Sequence, residues 1–143
     1  IGKRLVKSPK VYAMDTGLCC FFLKYLNSES LLNSGKFGNI LENWMIAELY
    51  KQRLFMAVKP HFYFWRTSNG SEIDLLVEYG KKLIPIEIKN SSGLSQKNTS
   101  GLDNFFKTSL GEKSPFGIIV YRGKEIIRLS DRVAALPMEL MIS

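Results

Sequence analysis

Apolar and polar positions change period along this chain, and the changes mark its elements. Residues 11–14 form a short apolar stretch with strand character. Asp15 and Thr16 then offer an N-cap to an apolar helix running to about residue 26. Residues 27–37 are polar and rich in Ser, Asn and Gly, with room for one helical turn around Leu31 and Leu32. The strongest helical pattern spans about residues 40–55. There Leu41, Trp44, Met45, Glu48 and Leu49 fall at helical spacing, flanked by Ile40 and Ala47. The period then shortens to two: His61–Arg66, Glu72–Tyr79 and residues 82–90 read as strands, the first two divided by turn residues 67–70. A polar stretch over 91–100 leads into a helix around 102–110. Residues 116–121 and 125–129 predict a hairpin turning at Arg122 and Gly123, followed by residues 133–137. Two helices, three strands, a helix and two strands predict an α/β domain with a mixed central sheet flanked by helices.

The second and third strands fix their own register. Gly80 followed by Lys81 is the sequence of a type II′ hairpin turn. With Tyr79 opposite Lys82, Val77 meets Ile84, Leu75 meets Ile86 and Ile73 meets Ile88, so one whole apolar face matches. The same count sets Asp74 opposite Glu87, and Glu72 opposite Lys89. Facing carboxylates about 5 Å apart repel and destabilise a hairpin. A divalent cation between them reverses the sign, because hard cations take carboxylate oxygens as ligands. Lys89 shares the face of Glu87 and would stand ready to hold water or a phosphate. A cation, two acids and an amine are the parts needed to hydrolyse a phosphodiester. Charged residues along one hairpin face also suit a plain solvated surface, with Glu72 and Lys89 as an ordinary ion pair. Pro85, which lacks an N–H, favours an edge strand or a non-bonded position.

Composition narrows the classes. Of 143 residues, 45% are apolar and 23% charged, which is globular rather than disordered. No apolar run approaches the ~18 residues of a membrane span, so no membrane role is expected. The two cysteines, Cys19 and Cys20, are adjacent and poorly placed to bridge to each other. With no signal-peptide pattern, reduced thiols in a cytoplasmic protein are the expectation. Twenty Lys and Arg against thirteen Asp and Glu give a formal charge of +7, the field of a protein that meets a polyanion such as DNA. The single histidine, His61, sits in an aromatic strand and reads as structural, which sets aside Ser-His-Asp and Cys-His chemistry.

Asp74, followed by Glu87, Ile88 and Lys89, resembles the D…(D/E)xK core of the PD-(D/E)XK nuclease superfamily, although Ile73 stands where the Pro of that name would be. The sequences at residues 12–18, 38–43, 72–74, 86–89 and 133–137 together resemble the uncharacterised C-terminal domain of many prokaryotic AAA+-like ATPases. The resemblance implies a restriction-endonuclease-like fold and a DNA-directed nuclease activity with Mg²⁺ or Mn²⁺. It implies metal ligands at Asp74, Glu87 and Glu42, with Lys89 orienting the attacking water. Gln96 matches a further polar position. Glu42 also suits the first turn of its helix, where the macrodipole favours a carboxylate. No G-x-x-x-x-G-K-[ST] loop occurs in the chain. The resemblance therefore implies an ATPase domain elsewhere in a longer polypeptide, reached through a basic linker over residues 1–10.

Trp65 and Arg66, at a strand end, are candidates for stacking on or contacting nucleic acid. Lys97 and the lysines at 81, 82, 89, 107 and 113 would extend a positive surface around the site, though scattered lysines also serve solubility. Two other readings stay open: a non-catalytic module of the same fold that recognises nucleic acid or a partner for the ATPase, and a purely protein-binding or oligomerising domain.

Overall fold

The computed structural model describes residues 10–142 except Asn69. Of the expected basic linker, only Lys10 falls within them. The chain forms α1 (Thr16–Phe22), α2 (Ser28–Leu32), α3 (Phe37–Leu54), β1 (His61–Arg66), β2 (Glu72–Tyr79), β3 (Lys82–Lys89), α4 (Ser100–Phe106), β4 (Gly117–Tyr121), β5 (Ile127–Arg128) and β6 (Val133–Pro137). Short 3₁₀ turns at Gln96–Thr99, Gly111–Lys113 and Met138–Met141 join or follow them. This is the expected α/β architecture: a six-stranded mixed sheet in the order β1-β2-β3-β4-β6-β5, with helices on both faces.

Local chemistry explains the helix ends. Asp15 caps α1 as expected, its carboxylate accepting the Leu18 N–H at 2.9 Å. The helix stops short of residue 26 because Lys24 adopts a left-handed conformation, φ 61°. The Lys24 N–H donates to the Phe21 carbonyl and the Tyr25 N–H to the Cys20 carbonyl, which completes a Schellman cap. Residues 11–14 are not a strand. Asn43 of α3 instead takes both backbone groups of Ala13, accepting its N–H at 2.8 Å and donating to its carbonyl at 2.9 Å. This segment is thereby pinned along α3.

Two cores form, one on each face of the sheet. On the α3 side Leu41, Met45 and Ile46 pack against Leu75, Ile86 and Val120. On the α4 side Leu102 and Phe105 pack against Ile73, Leu76, Ile119 and Tyr121. The separation of Ile73 from Leu75 overturns the single apolar face expected of β2. The β1–β2 register shifts between Tyr63 and Trp65, so that Phe64 opposes both Asp74 and Leu75. A bulge of this kind reverses the alternation of side chains beyond it, and it sends Ile73 to the α4 side.

The β2–β3 hairpin keeps the expected pairs from Tyr79↔Lys82 to Leu75↔Ile86, and Gly80 supplies the positive φ of its turn (63°). Pro85 lies in an internal strand rather than at an edge. The parallel ladder with β4 begins only at Ile86, so Pro85 interrupts no bond on that side.

The closing hairpin does not form. Past β4 the Arg122 N–H donates to the Ser91 carbonyl at 3.0 Å and the Tyr121 hydroxyl donates to the Glu125 carbonyl at 2.7 Å, which draws the chain away from a tight turn. β6 takes the place beside β4, in parallel, and β5 pairs with the outer side of β6.

Phe105 is fully buried and meets Trp65 edge-on at 5.2 Å. Phe105→Ala is expected to cost about 3–5 kcal/mol, read as a lower urea midpoint at unchanged slope. A loss under about 1 kcal/mol would mean that the α4 core repacks freely.

Candidate active site

The bulge decides where the acids point. Asp74, at the bulge, is turned toward α3, where Lys10 bridges it to Glu42: Lys10 Nζ lies 3.0 Å from Glu42 Oε1 and 3.9 Å from Asp74 Oδ1. Asp74 Oδ2 accepts the N–H of Ile88 at 2.8 Å, so the side chain takes a β3 amide beyond the last paired residues of the hairpin. The Tyr12 hydroxyl also donates to Glu42 Oε1, at 3.2 Å.

Glu87 faces the other way, toward α4. Gly101 sits so close to it that a Cβ there would fall onto Oε1. Lys89 Nζ lies 2.7 Å from Glu87 Oε2, as their shared face implies. Oε1 is buried and makes no well-formed hydrogen bond, although the Leu102 amide lies close enough to favour the carboxylate. The expected face-to-face pairing of Asp74 with Glu87 is therefore corrected, because the count behind it assumed a β2 without a bulge. The expected Glu72–Lys89 pair is corrected too: Glu72 meets Arg66 at 3.6 Å, and Lys89 goes to Glu87.

The acids still sense one another. Burial pushes the Asp74 carboxyl up to about 6; the Ile88 amide and Lys10 oppose the rise, while the negative charges of Glu42 and Glu87 add to it. Burial likewise raises Glu87, against the hydrogen bond and charge of Lys89 and the Leu102 amide, with Glu72 adding to the rise. Lys10 is itself raised: burial works against its charge, but Glu42, Glu72 and Asp74 outweigh it. Burial beside Glu42 also raises the Tyr12 hydroxyl. Four carboxylates and two lysines thus gather at the end of the hairpin away from Gly80.

Carboxylate oxygens are the donors a hard divalent cation takes. In the arrangement described, however, Lys10 stands between Glu42 and Asp74. Among the described residues no three His, Cys, Asp or Glu side chains converge on one point as metal ligands. Glu42 and Asp74 are of the chemistry a hard cation takes, and the Lys10 ammonium stands between them.

The remaining candidates lie around this group. Arg66 is exposed, and Trp65 is half-buried against Phe105. Gln96 and Lys97 are exposed in the 3₁₀ turn that follows β3. Lys81 and Lys82 lie at the turn end of the hairpin, roughly 20 Å from Lys89 at ~3.3 Å per residue, and so do not extend the site. Sequence reasoning missed Lys10, Tyr12 and Asn43. It also missed a cavity of about 560 Å³ beside Asp74, lined by Tyr12, Ile46, Phe62 and Phe64 among others. The signal lay in the motifs at 12–18 and 38–43, which meet through Ala13 and Asn43.

Fold and site together define a small α/β domain that gathers buried acids and lysines where two antiparallel strands part. The chain belongs to the family described as "Domain of unknown function (DUF4143)", which matches residues 37–141. It is 32% identical over 145 residues to an uncharacterised protein of Mycobacterium tuberculosis, and equally to one of Mycobacterium bovis. Each match takes in all of this chain but 30% of the relative's length. Among the described residues no helix is long and apolar enough to cross a membrane.

Because the fold raises Asp74 above the ordinary carboxyl value, it favours the protonated form. Stability from this group is complete in acid and is lost as pH rises through about 6. Asp74→Asn, in EDTA, is expected to stabilise the protein by about 1–3 kcal/mol near neutral pH and by almost nothing near pH 4. Urea denaturation at the two pH values checks this. An equal effect at both would show that Asp74 ionises freely.

Proposed function

We propose that this domain binds DNA and hydrolyses its phosphodiester bonds with Mg²⁺ or Mn²⁺, as part of a longer polypeptide that also carries an ATPase domain. The observation that carries the reading is that two buried acids, Asp74 and Glu87, lie within each other's field at one end of the hairpin, with Glu42 beside the first. Glu87 is 4% exposed, with Oε2 tied to Lys89 and Oε1 making no well-formed hydrogen bond, although the Leu102 amide favours its charge. Buried acids brought this close are costly, and a divalent cation would offset them further than one ammonium does. The motif resemblance to PD-(D/E)XK nucleases agrees in residue type at Asp74, Glu87 and Lys89, with Glu42 supplied from α3.

In this reading Asp74 and Glu42 would hold the cation on the α3 side, with Glu87 adding its negative charge from the α4 side; bound there, the cation would polarise the phosphate and favour hydroxide at neutral pH. Lys89, the last residue of β3, would leave Glu87 to set its ammonium beside the attacked phosphate and orient a water. The water oxygen bonds to phosphorus as the bond from phosphorus to the sugar oxygen breaks. One water proton goes to that leaving oxygen and the other to solvent. The net positive charge, with Arg66 and Lys97 exposed, attracts the DNA backbone. Trp65 flanks Arg66, and Gln96 is the further polar group. The 30% coverage of the relatives supports a larger polypeptide.

A second reading has its own observation. Lys10 already balances Glu42 and Asp74, and no three acids converge among the described residues. That suits a module which recognises nucleic acid, or a partner of the ATPase, without cutting.

The purified chain is expected to cleave supercoiled or branched DNA with Mn²⁺ or Mg²⁺ and not in EDTA. Asp74→Ala and Lys89→Ala should each lose about a hundredfold or more while keeping the wild-type circular dichroism. DNA binding that is salt-dependent, independent of metal and unchanged in Asp74→Ala, with no cleavage, would favour the recognition module.

A further inference from the structure

We infer that Lys10 and a divalent cation compete for one place between Glu42 and Asp74, so that the site loads only when the segment leading into α1 withdraws its ammonium. The inference rests on the reading of the carboxylate group as a cation site. Glu42 comes from α3 and Asp74 from β2, and the Lys10 ammonium joins them from a third part of the chain. That a cation already sits there shows what the geometry attracts. Glu42 Oε1 receives both Lys10 Nζ and the Tyr12 hydroxyl, so a metal at that oxygen competes with two donors. A divalent ion about 2.0–2.6 Å from the oxygen that Lys10 meets at 3.0 Å would lie within a few ångströms of the ammonium, and the two positive charges repel.

Lys10 is built to leave. Its side chain is a quarter exposed, and a lysine stem is long and flexible. Asn43 holds the backbone at Ala13, three residues on, so the side chain can swing while the segment stays attached to α3. Lys89 differs: it stands on β3 and pairs with Glu87, outside the place contested. Cation affinity then depends on where the chain before α1 is drawn, and α3, which carries Glu42, feels the same pull through Asn43.

Mn²⁺ titration calorimetry on metal-free protein tests this. Lys10→Met is expected to bind Mn²⁺ about tenfold tighter than wild type, the usual scale of such coupling. Asp74→Asn is expected to lose the binding in either background. On the wild-type protein, Mn²⁺ should speed acetylation of Lys10 by an amine-reactive reagent, read by peptide mass spectrometry, and leave Lys51, paired with Glu48 elsewhere on α3, unchanged. The wild-type labelling stands whether or not Lys10→Met folds. Equal Mn²⁺ affinity in wild type and Lys10→Met, or binding without faster labelling of Lys10, overturns the competition and leaves the cation site standing. Absence of Mn²⁺ binding in wild type and Lys10→Met alike overturns the cation site and the competition with it.

Discussion

Opposite Phe64, β2 supplies two residues where β1 supplies one, and the orientation of the site follows from that extra residue. Without it Asp74 would point with Glu72 and Glu87 into one face, and like charges would meet across the hairpin. With it, Asp74 turns to α3 and closes the hairpin ladder by taking the Ile88 amide. Ile73 turns to the opposite core and seals the floor beneath α4. The bulge thus separates two acids that would repel while keeping each within the other's field.

That compromise is held by partners on both sides. Glu87 is covered by α4, where Gly101 permits the close approach of the helix to its carboxylate. Asp74 and Glu42 are covered by the segment before α1, where the two backbone hydrogen bonds of Asn43 do the holding. Each side brings one lysine. A buried carboxylate is tolerable when a cation and hydrogen bonds replace its water, and Glu87 is the member for which the replacement is incomplete. Stability alone does not account for that arrangement.

Much of this was legible in the sequence. The apolar spacing located α3, alternation located the first three strands, and Gly80 with Lys81 gave the hairpin register as far as Leu75↔Ile86. The shared face of Glu87 and Lys89 was also readable, because β3 runs without a bulge. What could not be read depends on contacts between distant residues. A bulge arises from the way two strands pack on helices, and nothing in residues 72–79 spells it out. Lys10 looked like one charge in a basic run until Asn43 fixed its neighbour. The closing strands were misread because local pattern reports that a stretch is extended and does not name its partner: β6 finds β4 through the core, whereas the tight turn expected after β4 was only a sequence cue.

The place of β6 has a consequence for the making of the protein. It follows β5 in the chain yet lies between β5 and β4. Until residues 133–137 leave the ribosome, β4 has an open rim of apolar side chains and unpaired amides, and β5 has nothing to pair with. Such a rim invites strands of other nascent chains. The outer part of the sheet therefore closes only once this late segment is in place, however well the acids and lysines have already been assembled.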